Sequence, residues 1–432
     1  MLATPNPSLS GAVLNELIRY VQRNSQYYRD LYRDIPGDAS SLEQLPVIEH
    51  ARFWLSNTCN PETNRLLTST VIDGGIFRSG GTTGDPKVSF YSRNELNGIT
   101  RDLADCLKRA GLQPGDRVAN LLSNGDLYMG YLLNVLSWAD SSIPFVQLPI
   151  STLVEVERMV WPLQEFQATV LSAMPTILIR ISDYLSARGE QLPSVHLIVY
   201  GGENLHQDSK AVLKKTFPNA AMRPMMYGSV DGGLIGLPTH DTTLEHQVGG
   251  PIYTPNSPSV VVEILNEDGV PVTAIGQTGP IYVTNLTRRL MPVIRYPTGD
   301  VAEWVDYSQR LFTLRGRDVI GFKIGPASYD FRHLRNIVVK VLGDGNISAF
   351  QVAARRSDRK DELVFRIASH LSDHDEWDKK LEGALRADTF QYVSNLETGI
   401  INPLVVEWVD IEAMHTNQRT GKLRDVVDER VS

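Results

Sequence analysis

The stretch Phe77-Arg78-Ser79-Gly80-Gly81-Thr82-Thr83-Gly84-Asp85-Pro86-Lys87-Val88-Ser89-Phe90-Tyr91 places three glycines, three hydroxyl side chains and a lysine between Ser79 and Lys87. Gly80, Gly81 and Gly84 permit backbone shapes closed to other residues, and successive N–H groups in such a loop can turn inward as an anion-binding nest. Ser79, Thr82 and Thr83 add hydroxyl donors, and Lys87 adds a mobile positive charge. Together these are chemistry for gripping a polyphosphate. The spacing is not that of a Walker A loop, which has four residues between its glycines and then Lys and Ser/Thr opening a helix. Here three residues separate Gly80 from Gly84, Asp85-Pro86 precede the lysine, and the β-formers Val88 to Tyr91 predict a strand. The loop therefore reads as the bend of a hairpin. The plainer alternative is a mobile glycine-rich turn with no ligand.

At 432 residues the chain exceeds one ordinary domain. A formal net charge of −8 argues against non-specific nucleic-acid binding, although a local anion site needs only a few residues. The two cysteines, Cys59 and Cys106, lie far apart and form no metal-ligand spacing, so a reduced, cytoplasmic setting is expected. Met1 to Asn24 lacks the layout of a signal peptide, and the most apolar region, Leu127 to Leu148, is broken by Asn134 and Asp140. No membrane span is expected. The nine histidines show no metal spacing, and no Ser-His-Asp or Cys-His signature is present.

Outward from the loop, apolar residues at helical spacing predict a helix over Ser10–Asn24, with Ser10 as its N-cap. Helices are expected over Asn94–Ala110, Leu127–Ala139, Val154–Phe166 and Thr176–Arg188. Strands are expected over Arg117–Leu122, Ser142–Val146, Ala168–Leu171 and Val195–Tyr200. This alternation implies an α/β fold with a mostly parallel sheet covered on both faces, and ligands beyond the carboxyl ends of the strands. Val260–Leu265 and Gly279–Thr284 predict a small β subdomain. From Ala327 onward a compact α+β unit is expected, with a helix over Asp330–Leu342, strands over Ile347–Arg355, Glu362–Ala368 and Leu404–Ile411, and a helix within His370–Arg386.

Ser-Gly-Gly-Thr-Thr-Gly-Asp-Pro-Lys resembles the phosphate loop of the ANL adenylate-forming superfamily. The opening Asn24-Ser25-Gln26-Tyr27-Tyr28-Arg29-Asp30-Leu31-Tyr32, followed by Leu45-Pro46-Val47-Ile48, resembles the phenylacetate-CoA ligase branch. Later stretches fit the same resemblance. Gly201-Gly202-Glu203 takes the place of the adenine-binding wall. Met226-Tyr227-Gly228-Ser229-Val230-Asp231-Gly232 aligns with the family's Tyr-Gly-x-Thr-Glu, whose tyrosine stacks on adenine and whose acid holds Mg²⁺. Val230 and Asp231 replace the usual threonine and glutamate, which removes a phosphate contact and shortens the metal ligand by one methylene. Tyr296-Pro297-Thr298-Gly299-Asp300 matches Tyr-x-Thr-Gly-Asp, whose aspartate accepts hydrogen bonds from the ribose hydroxyls. Arg317 and Asp318 take the places of a ribose-contacting arginine and the interdomain hinge, without the usual spacer between them. Gly421-Lys422 resembles the terminal loop whose lysine bridges a carboxylate oxygen and the α-phosphate.

The resemblance implies a large ATP- and acid-binding domain over residues 1–316 and a small mobile C-terminal domain over 317–432. It implies activation of a carboxylic acid by ATP and Mg²⁺, then transfer to a thiol, with coenzyme A the expected acceptor. Lys422, Asp231 and Lys87 would be catalytic. The acid is expected to be aromatic, in a slot near Phe145, Met226, Tyr227 and Gly232, and a bulky phenazine-type acid of antibiotic biosynthesis is one option within the branch. Transfer to a carrier protein, a reductase or an amine stays open. So do an adenylyltransferase acting on a hydroxyl, a non-catalytic nucleotide-binding relative, and a homodimer.

Overall fold

The computed structural model describes residues 7–36, 39, 41–78, 87–122, 125, 127–203, 205, 207–266, 268–317, 322–416 and 423–430. The chain divides into two units, the first running to Leu314 and the second beginning at Arg315.

In the first unit the strands Gly74–Arg78 and Val88–Ser92 pair antiparallel, from Gly74 opposite Ser92 to Arg78 opposite Val88. The hairpin expected from the sequence is therefore present, while its bend, 79–86, lies outside the described residues. Ser92 then caps the helix Arg93–Ala110. Its hydroxyl accepts the Glu95 N–H, and the Glu95 carboxylate accepts the Ser92 N–H at 2.7 Å. This reciprocal Ser-x-x-Glu pairing satisfies two amides left over at the helix start. Glu95 also accepts the Leu290 N–H at 2.8 Å, so the same carboxylate pins a distant loop to the helix.

Five strands form the parallel sheet, in the order Val146–Pro149, Arg117–Leu121, Val170–Ala173, Leu197–Tyr200 and Ala221–Pro224. Val170–Ala173 and Leu197–Tyr200 are buried along their whole length, as expected of central parallel strands covered on both faces. Two elements here start three or more residues later than the sequence reading placed them. The helix expected from Leu127 begins at Gly130, because Leu127 is left-handed (φ +62°) and its carbonyl accepts the Arg78 N–H at 3.1 Å. The strand expected over Ser142–Val146 runs instead over Val146–Pro149; the Val146 N–H enters the ladder by donating to the Asp116 carbonyl at 2.8 Å.

The β subdomain is larger than its sequence signal. It is a seven-stranded sheet ordered Val260–Ile264, Thr278–Asn285, Tyr296–Asp306, Leu311–Arg317, Ile252–Pro255, Gly233–Pro238 and Tyr227–Ser229. Against one apolar cluster of this sheet, which includes Val262, Ile281, Trp304 and Phe312, pack Leu14, Leu17, Ile18 and Val21 of the first helix. That helix spans Pro7–Asn24, so Ser10 lies inside it and is not its N-cap.

In the second unit the strands order as Val405–Trp408, Lys360–Ala368, Ala349–Ser357 and Val426–Asp428. The helices Phe331–Leu342, His374–Asp388 and Phe390–Glu397 bury Leu334, Val338, Leu381, Leu385 and Tyr392 in one cluster with Val352 and Phe365 of the sheet. Asp330 caps the first of these helices, its side chain accepting the His333 N–H at 3.1 Å. The helix Phe390–Glu397 and the strand Val426–Asp428 are absent from the sequence reading. The strand is only three residues long, too short for a periodic signal. Among the described residues no helix is long and apolar enough to cross a membrane.

Cys59 is exposed, whereas Cys106 is buried on the helix Arg93–Ala110, where burial pushes its thiol pKa up to about 11. The thiolate is the reactive species. Titration with an aromatic disulfide at neutral pH is therefore expected to count one fast thiol in the native protein and two in denaturant.

Candidate active site

The first unit brings together three motifs that lie far apart in the chain. Asp231 follows the short strand Tyr227–Ser229. Its carboxylate accepts the Ser89 hydroxyl of the hairpin at 3.3 Å and the Tyr296 hydroxyl at 3.0 Å. Tyr91, also on the hairpin, donates to the Val230 carbonyl at 2.7 Å. The strand Val88–Ser92 is thus fastened to the loop carrying Asp231 by two hydroxyls on alternate residues, which a strand presents on the same face. Asp231 keeps part of its surface open but is surrounded by protein elsewhere, and that burial raises its pKa above the ordinary carboxylate value. The positive charge of Lys87, and further off that of Arg288, opposes the shift.

The loop around Asp231 is built for close approach. Ser229 accepts the Gly232 N–H on its hydroxyl at 2.9 Å, closing a tight turn. A side chain on Gly228 would place its Cβ 2.5 Å from the Gly233 carbonyl oxygen, so only glycine fits there. The Asn285 amide donates to the Gly232 carbonyl at 3.1 Å, while its oxygen accepts the Thr287 and Arg288 N–H groups. Asn285 therefore locks the turn that bears Arg288 onto the turn that bears Asp231.

Arg288 is 1 % exposed, and among the described residues none of its three guanidinium nitrogens has a hydrogen-bond acceptor. Its guanidinium lies 4.1 Å from the centre of the Tyr91 ring, a cation–π contact. No sequence signal points to this arrangement. Arg288-Arg289 reads as a pair of solvated charges, and nothing in the order of residues says which one faces inward.

Tyr227 is buried and its hydroxyl donates to Asp300 at 2.8 Å, with the Thr298 hydroxyl 3.3 Å away. Its ring packs against Tyr253 and Phe312, with centroids 5.8 and 5.9 Å apart. The residues expected to meet adenine and ribose are therefore directly bonded to each other. Tyr296 links this strand back to Asp231, and its hydroxyl also accepts the Trp54 indole N–H at 3.1 Å. The same indole ring lies 5.8 Å from the Lys87 ammonium.

Other expected site residues fall as follows. Gly201, Gly202 and Glu203 follow the buried strand Leu197–Tyr200; the Glu203 carboxylate accepts the Thr176 N–H at 3.1 Å, and the Thr176 hydroxyl lies 3.2 Å away. Phe145 and Met226 fringe one apolar cluster together with Met174 and Val230, and Phe145 sits edge-on to Trp138. A Cβ on Gly232 would lie 2.9 Å from the Cδ1 of Ile235, so that side chain would have to shift. Arg317 ends the strand Leu311–Arg317. Ser79, Gly80, Gly81, Thr82, Thr83 and Gly84, the hinge residue Asp318, and Lys422 lie outside the described residues.

Residues 76–287 match the family described as AMP-binding enzyme. Among curated proteins, the chain is 27 % identical over 304 residues to a phenylacetate-coenzyme A ligase of Thermus thermophilus, covering 67 % of this chain and 63 % of that one. It is 25 % identical over 249 residues to the phenylacetate-coenzyme A ligase of Escherichia coli, covering 57 % and 54 %. The matches thus span about half to two thirds of those relatives' lengths. Among solved structures, a 2-hydroxyisobutyryl-CoA ligase in complex with 2-HIB-AMP and CoA superposes with a TM-score of 0.73 at 16 % identity, over 98 % of this chain and 89 % of that one. At that identity the likeness shows the fold.

Tyr296→Phe removes a buried hydroxyl that serves both Trp54 and Asp231. Leaving such partners unsatisfied costs about 1–3 kcal/mol. A lowered urea midpoint with an unchanged slope is the expected outcome.

Proposed function

We propose, for a chain whose residues 76–287 form an AMP-binding enzyme domain of the ANL superfamily, the ATP-dependent activation of a carboxylic acid and its transfer to coenzyme A. The observation that carries this reading is the convergence on one unit of the hairpin lysine Lys87, the anchored carboxylate Asp231 and the hydrogen-bonded pair Tyr227–Asp300. A carboxylate is a poor electrophile. Its oxygen attacks the α-phosphorus of ATP, the bond to the β-phosphate oxygen breaks, and pyrophosphate leaves. The thiol of coenzyme A then attacks the acyl carbon, loses its proton to solvent, and AMP leaves. Negative charge spreads over phosphate oxygens in the first step, so catalysis is chiefly positioning and charge stabilisation. The nucleophile is already ionised, and no general base is required.

In this reading Ser79 to Gly84 grip the β- and γ-phosphates, while Lys87 and Lys422 meet developing charge. Tyr227 and the Gly201-Gly202 turn bracket adenine, and Asp300 with Arg317 holds the ribose. A Mg²⁺ ion needs one or two carboxylates and completes its shell with phosphate oxygens and water. Asp231 is such a carboxylate, which fits the ion without a larger cluster; Mg²⁺ bound there would neutralise phosphate charge. The acid slot lies on the apolar fringe formed by Phe145 and Met226, which suits an aromatic acid.

Acid-dependent exchange of labelled pyrophosphate into ATP, run over a panel of aryl acids with and without coenzyme A, tests the whole reading. Exchange with one acid and matching consumption of coenzyme A is expected. Exchange without consumption moves the acceptor to a carrier protein, a reductase or an amine, and no exchange with any acid ends the proposal. Lys422→Ala is expected to cripple adenylate formation while leaving ATP binding largely intact. Asp300→Asn, which removes a charged acceptor, is expected to weaken ATP binding about tenfold by equilibrium titration, about 1.4 kcal/mol.

A further inference from the structure

Gln351 lies in the strand Ala349–Ser357 and is completely buried. A buried primary amide is costly unless its hydrogen bonds are made. Here all are made, and their partners are informative. The Gln351 amide nitrogen donates to the His415 carbonyl at 2.9 Å and to the Arg424 carbonyl at 2.7 Å. Its oxygen accepts the His415 N–H at 3.2 Å and a guanidinium N–H of Arg366 at 3.5 Å. Two donors and two acceptor sites are all that this side chain possesses. The reverse orientation would set NH₂ against two N–H donors, so the amide has one workable pose.

His415 and Arg424 stand on either side of residues 416–423. The Arg424 N–H donates to the His415 carbonyl at 3.0 Å, and Thr416 and Leu423 form an antiparallel bridge. Beyond them the Val352 N–H donates to the Asp425 carbonyl at 3.0 Å, starting the parallel pairing of Val352 with Val426. Arg366, behind the amide, is itself fixed by Glu407 at 2.8 Å and Glu429 at 2.7 Å. One buried side chain, backed by an ion-pair network, thus ties together both ends of a segment.

We propose that Gln351 is a positioning residue that sets the base of the segment carrying Gly421-Lys422, and that it influences adenylate formation through Lys422. The proposal rests on the reading of Lys422 as the lysine that meets the α-phosphate. Gln351 itself touches no reacting atom. Lys422 is one residue from Leu423, so a shift of the base moves its anchor directly. An error of about 1 Å in placing a catalytic group can cost about a hundredfold in rate.

The test uses the full chain with Gln351→Met, which keeps the length and loses the amide, and Gln351→Glu, which keeps the acceptor and loses both donors. Two readouts are taken. Limited trypsin digestion under native conditions reports cutting after Arg419, Lys422 and Arg424, independently of activity. Pyrophosphate exchange gives kcat and KM for ATP. Both variants are expected to be cut about tenfold faster, and to lose about tenfold or more in kcat with KM for ATP within about twofold. In a Lys422→Ala background neither substitution should lower exchange further, since groups that act as one unit are not additive. Cutting at the wild-type rate overturns the tether. A full further loss of exchange in the Lys422→Ala background overturns the route through Lys422. If Lys422→Ala alone exchanges normally, the reading of Lys422 fails, while faster cutting of the Gln351 variants still upholds the tether. Should Gln351→Met fail to fold, Gln351→Glu carries the same comparisons.

Discussion

The first unit depends on one buried ion pair. Arg295 sits just before the strand Tyr296–Asp306 in a left-handed conformation, and its guanidinium pairs in a forked arrangement with Glu263 at 3.1 and 3.0 Å. A third nitrogen donates to the Leu45 carbonyl at 2.6 Å, and the Arg295 carbonyl accepts the Ile48 N–H at 3.0 Å. One residue therefore joins the N-terminal layer, the edge strand Val260–Ile264 and the start of the strand that delivers Tyr296 and Asp300. Such pairs contribute little net stability, because desolvation offsets attraction, but removing one partner costs about 3–5 kcal/mol. The gain is in register. The residue after Arg295 reaches Asp231, and Asp300 follows on the same strand.

From there the site is assembled by hydroxyl groups more than by ion pairs. Ser89, Tyr91, Tyr227 and Tyr296 each donate across elements, three of them to carboxylates. A hydroxyl fixes an acid without cancelling its charge. Arg288 contributes a positive charge to the same region, its guanidinium set against the face of Tyr91. Together with Lys87 it acts on Asp231 with positive charge.

Much of this was legible in the sequence, and for identifiable reasons. The glycine-rich run between two β-forming stretches marked a hairpin, and the strands flanking it are paired as that pattern requires. A β-branched run marked the central strand Leu197–Tyr200. Short motifs near Tyr227 and Asp300 were recognisable, but not their bond, because two residues 73 positions apart carry no local sign of contact. Arg288 was invisible for a related reason, since charge pattern predicts solvation and only tertiary packing turns one arginine of a pair inward. The seven-stranded sheet was underestimated because Tyr227–Ser229 is only three residues long and Gly233–Pro238 is glycine-containing, too short or too irregular for a period-two signal.

The hydrogen bond from Tyr227 to Asp300 has a bearing on how such a pocket could change its diet. Base recognition and sugar recognition are usually treated as separate dials. In the proposed reading, where Tyr227 meets the base and Asp300 the sugar, the Tyr227 hydroxyl donates to Asp300, so redesign of one side chain bears on the other. On that reading, drift toward a different nucleotide would call for paired replacements rather than a change at either position alone.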